Sequence, residues 1–201
     1  MIAEVIHSPT EFFVKQTEQT GVGYSVVIVG IAGLMLGGSI IISAFAALGN
    51  TSSDAIIYYV IGNLITAGMV VALIYLLWLF YAGSIHTFST YVFGTSGEFR
   101  ELLIVIGWGF IGLGFAGAIS LIFEGGILLL SVEPTVTIPV IGLKITTLFQ
   151  FVNNILFLWT CYLWVTGVRV ATSNGLKRSV LLVVLPVSFS LFVSYIPSMY
   201  T

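Results

Sequence analysis

Few side chains in this sequence have types and spacings that chemistry could use. Gln150, Asn153 and Asn154 fall at i, i+3 and i+4, which places three carboxamides on one helix face. Asn63 lies in a separate apolar stretch at comparable depth, and the four amides are expected to converge. Such a cluster inside a membrane can hold an ion or a small solute. It can equally tie helices together through hydrogen bonds worth about 0.6 kcal/mol each. Amides do not titrate, so no proton relay follows from them. A second group, Glu98, Arg100, Glu101, Arg169, Lys177 and Arg178, makes a mixed-charge surface that suits either a docking protein or plain solvation of loop ends.

Other chemistry finds no support. His7 and His86 are far apart and no Cys/His cluster occurs, so no metal site is expected. Asp54 is the only aspartate, and the topology derived below puts it on the opposite side from both histidines, which excludes a Ser-His-Asp set. Gly107, Gly109 and Gly112 spell a GxGxxG pattern, but it lies inside an apolar run rather than at a strand-to-helix turn, so no dinucleotide cofactor is expected. Cys161 has no second cysteine to pair with and reads as a small packing residue. An enzyme is therefore not expected.

Composition sets the class. Charged residues make up 7% of the chain, against about 25% in ordinary soluble domains. With a mean hydropathy of +1.14, this composition describes an all-α integral membrane protein in contact with the lipid bilayer. A net charge of -2 gives no case for nucleic acid. The first 20 residues are polar and carry three glutamates, unlike a cleavable signal.

The elements that must position these groups follow from hydropathy. Residues 1–22 read as an interfacial segment. Within it, Ser8-Pro9-Thr10-Glu11 signals a helix start, and Val5, Ile6, Phe12 and Phe13 predict a short amphipathic helix on the membrane surface. Residues 23–201 read as one bundle of five transmembrane helices, spanning about 24–48, 57–82, 102–123, 146–171 and 179–196. About 20 residues cross about 30 Å of hydrocarbon, so the apolar region 55–93 is divided at Ala82, with Gly83–Phe93 as a juxtamembrane segment. Gly33 and Gly37 share a face of the first span. In the third span Gly107 and Gly114 share one face while Gly109 and Gly112 share the other, predicting a helix packed closely on both sides. Glu124-Gly125-Gly126 is expected to break that helix. A loop lying on the surface or partly re-entering the membrane should then run to about Ile145, with strand-like alternation at Thr135–Ile138. Pro186 is expected to kink the fifth span.

Orientation follows from the six basic residues. With the N-terminus inside, Lys15, Arg100, Arg169, Lys177 and Arg178 fall on the inner side and only Lys144 on the outer. This predicts N-inside and C-outside. No charge lies at the middle of a span, which counts against a proton-coupled carrier.

The pattern resembles the Yip1 family of five-span membrane proteins in its prokaryotic form. The resemblance is carried by Trp164-Val-Thr-Gly167-Val-Arg169, the turn Thr172–Gly175, Lys177 and the apolar run to Pro186. It is supported by Ser8-Pro9-Thr-Glu-Phe12-Phe13, by Gly94-x-x-Gly97-x-Phe99, and by Gly107-Trp108 where the family has Gly-Tyr. Two features depart from the family: a proline common after the Gly-Tyr pair is missing, as are the long N-terminal domain and acidic Asp-Leu-Tyr-Gly-Pro element of eukaryotic members. The link to Rab GTPases and vesicle traffic is therefore not carried over, and a bacterial or archaeal cell membrane is the expected home. The resemblance implies a non-enzymatic membrane-organising scaffold or accessory subunit, partnered by an exporter subunit or by a second copy of itself. The alternative is a small channel or carrier using the amide cluster.

Overall fold

The computed structural model describes residues 2–48, 55–95, 97–130, 137–138 and 143–195. Among the described residues eight helices follow one another: α1 (Ile2–His7), α2 (Pro9–Gln19), α3 (Val22–Ala47), α4 (Ile56–Tyr91), α5 (Phe99–Gly109), α6 (Ile111–Leu130), α7 (Ile145–Thr172) and α8 (Leu176–Tyr195). Between α6 and α7, β1 (Thr137–Ile138) pairs antiparallel with β2 (Leu143–Lys144), Thr137 opposite Lys144. The rest of the expected loop between Ser131 and Gly142 lies outside the described residues.

Among the described residues four stretches are long and apolar enough to cross a membrane: Val22–Phe45, Ile56–Tyr91, Phe99–Leu130 and Ile145–Thr172. The first and last agree closely with the expected spans. The fifth expected span forms α8, with Pro186 inside it, but it is not among these four.

The second span departs from expectation. The juxtamembrane segment is not separate, because α4 runs unbroken for 36 residues, about 54 Å at 1.5 Å per residue. From Ile56 to Phe80 its exposed positions include Ile57, Ile61, Leu64, Ile65, Met69, Leu73 and Leu76, and beyond Ala82 they include Phe88 and Tyr91 as well as Thr87 and Thr90. Polarity alone does not stop a helix. The stop is Gly94, which takes φ +65, a left-handed conformation that costs glycine little. The N–H groups of Phe93 and Thr95 reach back to the carbonyls of Phe88 and Ser89 to close the end.

The third span departs twice. The chain breaks at Phe110, dividing it into α5 and α6, and Gly125-Gly126 does not end α6, which continues to Leu130. Within a membrane no water competes for the backbone, so two glycines alone do not unravel a helix.

The N-terminal segment also differs. It forms two helices, and Ser8 stands at the cap of α2 without a side-chain capping bond. Val5, Phe12 and Phe13 are fully or almost fully buried in the protein. Phe12 meets Trp108 edge-on with ring centroids 4.8 Å apart. Of the residues expected to lie on lipid, Phe12 thus packs on α5, while Ile6 is exposed.

The chain forms two compact units. The first combines the described residues of Met1–Val27, Leu76–Gly109 and Cys161–Thr201; the second combines Ile28–Tyr75 and Phe110–Thr160. In the second unit glycines bring helices close together. A Cβ on Gly37 would lie 2.9 Å from the Ala67 carbonyl oxygen, and one on Gly33 would lie 3.2 Å from the Val71 Cα. Gly117 leaves 2.8 Å to Met35 Cβ, and a Cβ on Gly112 would overlap the Thr160 hydroxyl. Within this unit α6 therefore touches α3 through Gly117 and α7 through Gly112. Phe123 stacks on Phe149 at 4.4 Å.

Candidate functional site

In the first unit α5 is almost wholly enclosed: Leu102, Ile104, Val105, Ile106, Gly107, Trp108 and Gly109 are all buried. Side-chain donors from other helices end on its carbonyls. Trp78 Nε1 of α4 donates to Leu103 O at 2.9 Å, Ser25 Oγ of α3 to Ile104 O at 3.0 Å, and Trp164 Nε1 of α7 to Ile106 O at 2.9 Å. Glycines admit the indoles. A Cβ on Gly109 would collide with the Trp164 ring, and one on Gly107 with Ser25. This arrangement fixes helices and offers no reactive group.

A second polar focus gathers the motif residues at the turns of the same unit. Asn174 is 5% exposed and donates through Nδ2 to the hydroxyls of Thr95 at 3.1 Å and Thr172 at 2.8 Å. Thr95 Oγ1 donates to Ser89 O, and Thr172 Oγ1 to Val168 O. Asn174 Oδ1 is buried without a partner. Gly97 is needed for close approach, since a Cβ there would lie 2.9 Å from the Ala171 carbonyl oxygen. Phe99 meets the His86 ring edge-on at 5.6 Å. The glycines and phenylalanine of Gly94-x-x-Gly97-x-Phe99 thus have separate local causes, and the loop joins the α7–α8 turn through Thr95 and Asn174.

A recess of about 550 Å³ opens at this turn, lined by Thr95, Ser173, Asn174, Gly175, Leu176, Lys177 and Arg178. Lys177 and Arg178 are exposed, and the Arg178 guanidinium lies 5.7 Å from the centre of the Phe93 ring. Of the other residues expected on a partner surface, Glu98, Arg100 and Arg169 are exposed and Glu101 is half-buried. Arg100 Nη2 donates to Thr20 O at 3.0 Å. Among the described residues none of these six charged groups forms an ion pair with another; the ion pair present, Lys15 with Glu4 at 3.9 Å, is at the N-terminus.

Among the described residues the hydrogen bond made by these amides is local. Asn63 donates to Tyr59 O at 2.8 Å, the carbonyl one turn back in its own helix. The recess of about 90 Å³ beside it is walled by Ile41, Ala44, Phe45, Leu48, Tyr59, Val60 and Leu64, and by none of the α7 amides. Gln150 and Asn154 are exposed and Asn153 is half-buried. The i, i+3, i+4 spacing puts the three α7 amides on one helix face. Among the described residues no group of three His, Cys, Asp or Glu side chains could hold a metal ion.

Sequence reasoning missed the three donors Ser25, Trp78 and Trp164. A signal was present: an indole N–H buried away from water needs an acceptor, and glycines on the third span let other helices reach its carbonyls. The rule has its own exception here, since Trp108 Nε1 is buried with no partner.

No curated protein and no solved structure matches this chain. A family model described as the Yip1 domain matches residues 3–196. That match covers nearly the whole chain, and together with four membrane-length apolar helices it makes this an integral, multi-pass membrane protein that belongs to the Yip1 domain family.

Proposed function

We propose that this protein is a non-enzymatic scaffold or accessory subunit of a membrane assembly, in a bacterial or archaeal cell membrane. In this reading α8 is the fifth span, the N-terminus is inside and the C-terminus outside. The observation that carries the reading is how the buried polar groups are used. Ser25, Trp78 and Trp164 hold α5 by its carbonyls, and the Thr160, Thr166 and Thr172 hydroxyls return to carbonyls of their own helix. Such groups fix a shape and bind no solute. Asn63 is engaged within its own helix, which speaks against a channel built on the amides.

A partner, an exporter subunit or a second copy, would meet the exposed charges Glu98, Arg100, Arg169, Lys177 and Arg178 with Glu101 beside them. The test is purification of the tagged chain from its native membrane in mild detergent, with co-purifying chains identified. A stoichiometric partner lost on charge reversal at Arg100 and Arg169 is the expected result. A chain that comes away alone, or holds its partner regardless of those charges, would overturn the reading.

A further inference from the structure

We propose that a second copy of this chain docks on the N-terminal half of α7, with the Asn154 carboxamides of the two copies bonding each other across a twofold axis normal to the membrane. At 28 residues α7 is about 42 Å long, and the hydrocarbon it crosses is about 30 Å thick. Asn154 lies about 14 Å from the Ile145 end and about 27 Å from the Thr172 end. Wherever along a crossing α7 the bilayer is placed, Asn154 is therefore inside the hydrocarbon. Asn154 is exposed, and among the described residues neither it nor Gln150 makes a side-chain hydrogen bond. Water does not satisfy an amide at that depth, and polar groups within membranes pair with one another or with backbone. A bare carboxamide there marks a face that something else covers.

The face has the spacing of a helix seam. Thr147, Phe151, Asn154 and Leu158 follow one another at intervals of four, three and four residues, the alternation that keeps a stripe of side chains toward a second helix. All four are exposed, Phe151 and Leu158 by 61% and 66%. Gln150 borders them and is exposed too. Another side of α7 is occupied within the chain: Phe149 stacks on Phe123 of α6, and Gly112 of α6 lies against Thr160. At about 100° per residue, Leu158 falls opposite Phe149 on the helix.

Depth and hydrogen-bonding capacity favour a second copy over an unrelated helix. In a pair related by a twofold axis along the membrane normal, each residue on the axis meets its own copy at the same depth. A carboxamide holds both donor and acceptor, so Asn154 satisfies Asn154, and the Thr147 hydroxyl can do the same. An unrelated helix would have to bring a matching polar group to that depth. Self-pairing sets like charge against like, and α7 carries no charged residue from Ile145 to Val168. Self-association in this form rests on the scaffold reading, but through a face that holds none of the charged residues given to a partner there. With the second copy on α7, those charges are left for a different chain.

Single-molecule photobleaching of the labelled full chain in liposomes, over a range of chain-to-lipid ratios, tests this. The wild type should dimerise, and Asn154→Leu should weaken the dimer by about tenfold. Asn154 is exposed and bonds nothing within the chain, so this variant should fold as the parent does. Asn154→Gln, which keeps an amide, should retain most of the dimer; a loss equal to that of Asn154→Leu would sink the amide pair. Asn63→Leu removes an amide already bonded in its own helix and should change nothing. A monomeric wild type, or a dimer equally stable in Asn154→Leu, would overturn the docking face. In a Cys161→Ala background, copper phenanthroline should cross-link Leu158→Cys chains in native membranes but not Leu73→Cys chains, whose position on α4 is also exposed. The reverse preference would place the contact on another face. Charge reversal at Arg100 and Arg169 should release a co-purifying different chain and leave the dimer. Loss of the dimer on that reversal would move self-association to the charged surface and overturn α7, whereas loss of neither would count against the charged partner surface alone.

Discussion

The two compact units hold their helices together by different means. In the first, side chains reach across to backbone: Trp78, Ser25 and Trp164 donate to three carbonyls of one short helix. In the second, backbone meets backbone across glycines: Gly37 on the Ala67 carbonyl, Gly33 on Val71 Cα, Gly117 on the Met35–Leu36 main chain. A directional bond fixes rotation and register, because it is lost if the helix turns or slides. Close backbone approach maximises dispersion contacts but accepts a range of small displacements. The first unit also carries the α7–α8 turn, where Asn174 donates to the hydroxyls of Thr95 and Thr172. The contrast predicts that single substitutions act more abruptly in the first unit.

The largest effect is expected at the junction of the two devices, where a glycine admits a donor. Gly109→Ala places a methyl group on the Trp164 indole. The ring cannot withdraw without giving up its bond to Ile106 O, and both residues are buried. The cost should reach about 3 kcal/mol, the upper end for overpacking a core. Fluorescence-detected size exclusion after mild heating should show most of the variant aggregated at a temperature the parent survives. If Gly109→Ala withstands the same heating, the first unit is softer than its bonds imply and the comparison fails.

Trp164→Phe isolates the bond from the packing. It keeps an aromatic ring against Tyr81, which lies 5.0 Å away, but leaves the Ile106 carbonyl without its indole donor. An unmade bond to a buried acceptor costs about 1–3 kcal/mol. Reversible unfolding in mixed micelles should register a loss in that range. An unchanged midpoint would mean that Ile106 O finds another donor and that the indole acts by shape alone.

These outcomes bear on what a sequence can reveal. Spans one and four were legible because long uncharged runs in this composition have only one physical home. The serines and threonines beyond Ala82 suggested a division there, but they do not end α4; the end depends on the conformation of Gly94. Two glycines at 125 and 126 read as a stop because in water they would be one. The face shared by Gln150, Asn153 and Asn154 was readable from the helical period, whereas the neighbour that face meets depends on helix rotation, which no local pattern specifies. The charged residues at the α7–α8 turn were found by charge counting. Asn174, the hub of that turn, was passed over as a turn residue because only one of its hydroxyl partners, Thr172, is local, while the other, Thr95, lies 79 residues away in sequence.

The smallest effects give the finest test of the second unit, since its glycines look alike in sequence and differ in space. Gly37→Ala would put Cβ 2.9 Å from the Ala67 carbonyl oxygen, a backbone atom that can move only with α4. Gly114, equally expected to lie in a tight stripe, leaves 3.7 Å to Ala32, ordinary contact, so Gly114→Ala should be tolerated. Gly68 has nothing within 4 Å and is exposed. Adding a methyl there removes backbone freedom without a clash, which favours the helix by up to about 1 kcal/mol. The expected order of stability is therefore Gly68→Ala at or above the parent, Gly114→Ala close to it, and Gly37→Ala below it by about 1 kcal/mol or more. Unfolding midpoints of the three variants in one detergent would check it. If all three lie together, the glycines act as a lipid-facing composition rather than as points of backbone contact. If Gly114→Ala falls with Gly37→Ala, α3 and α6 approach more closely than 3.7 Å, and the second unit is as intolerant as the first.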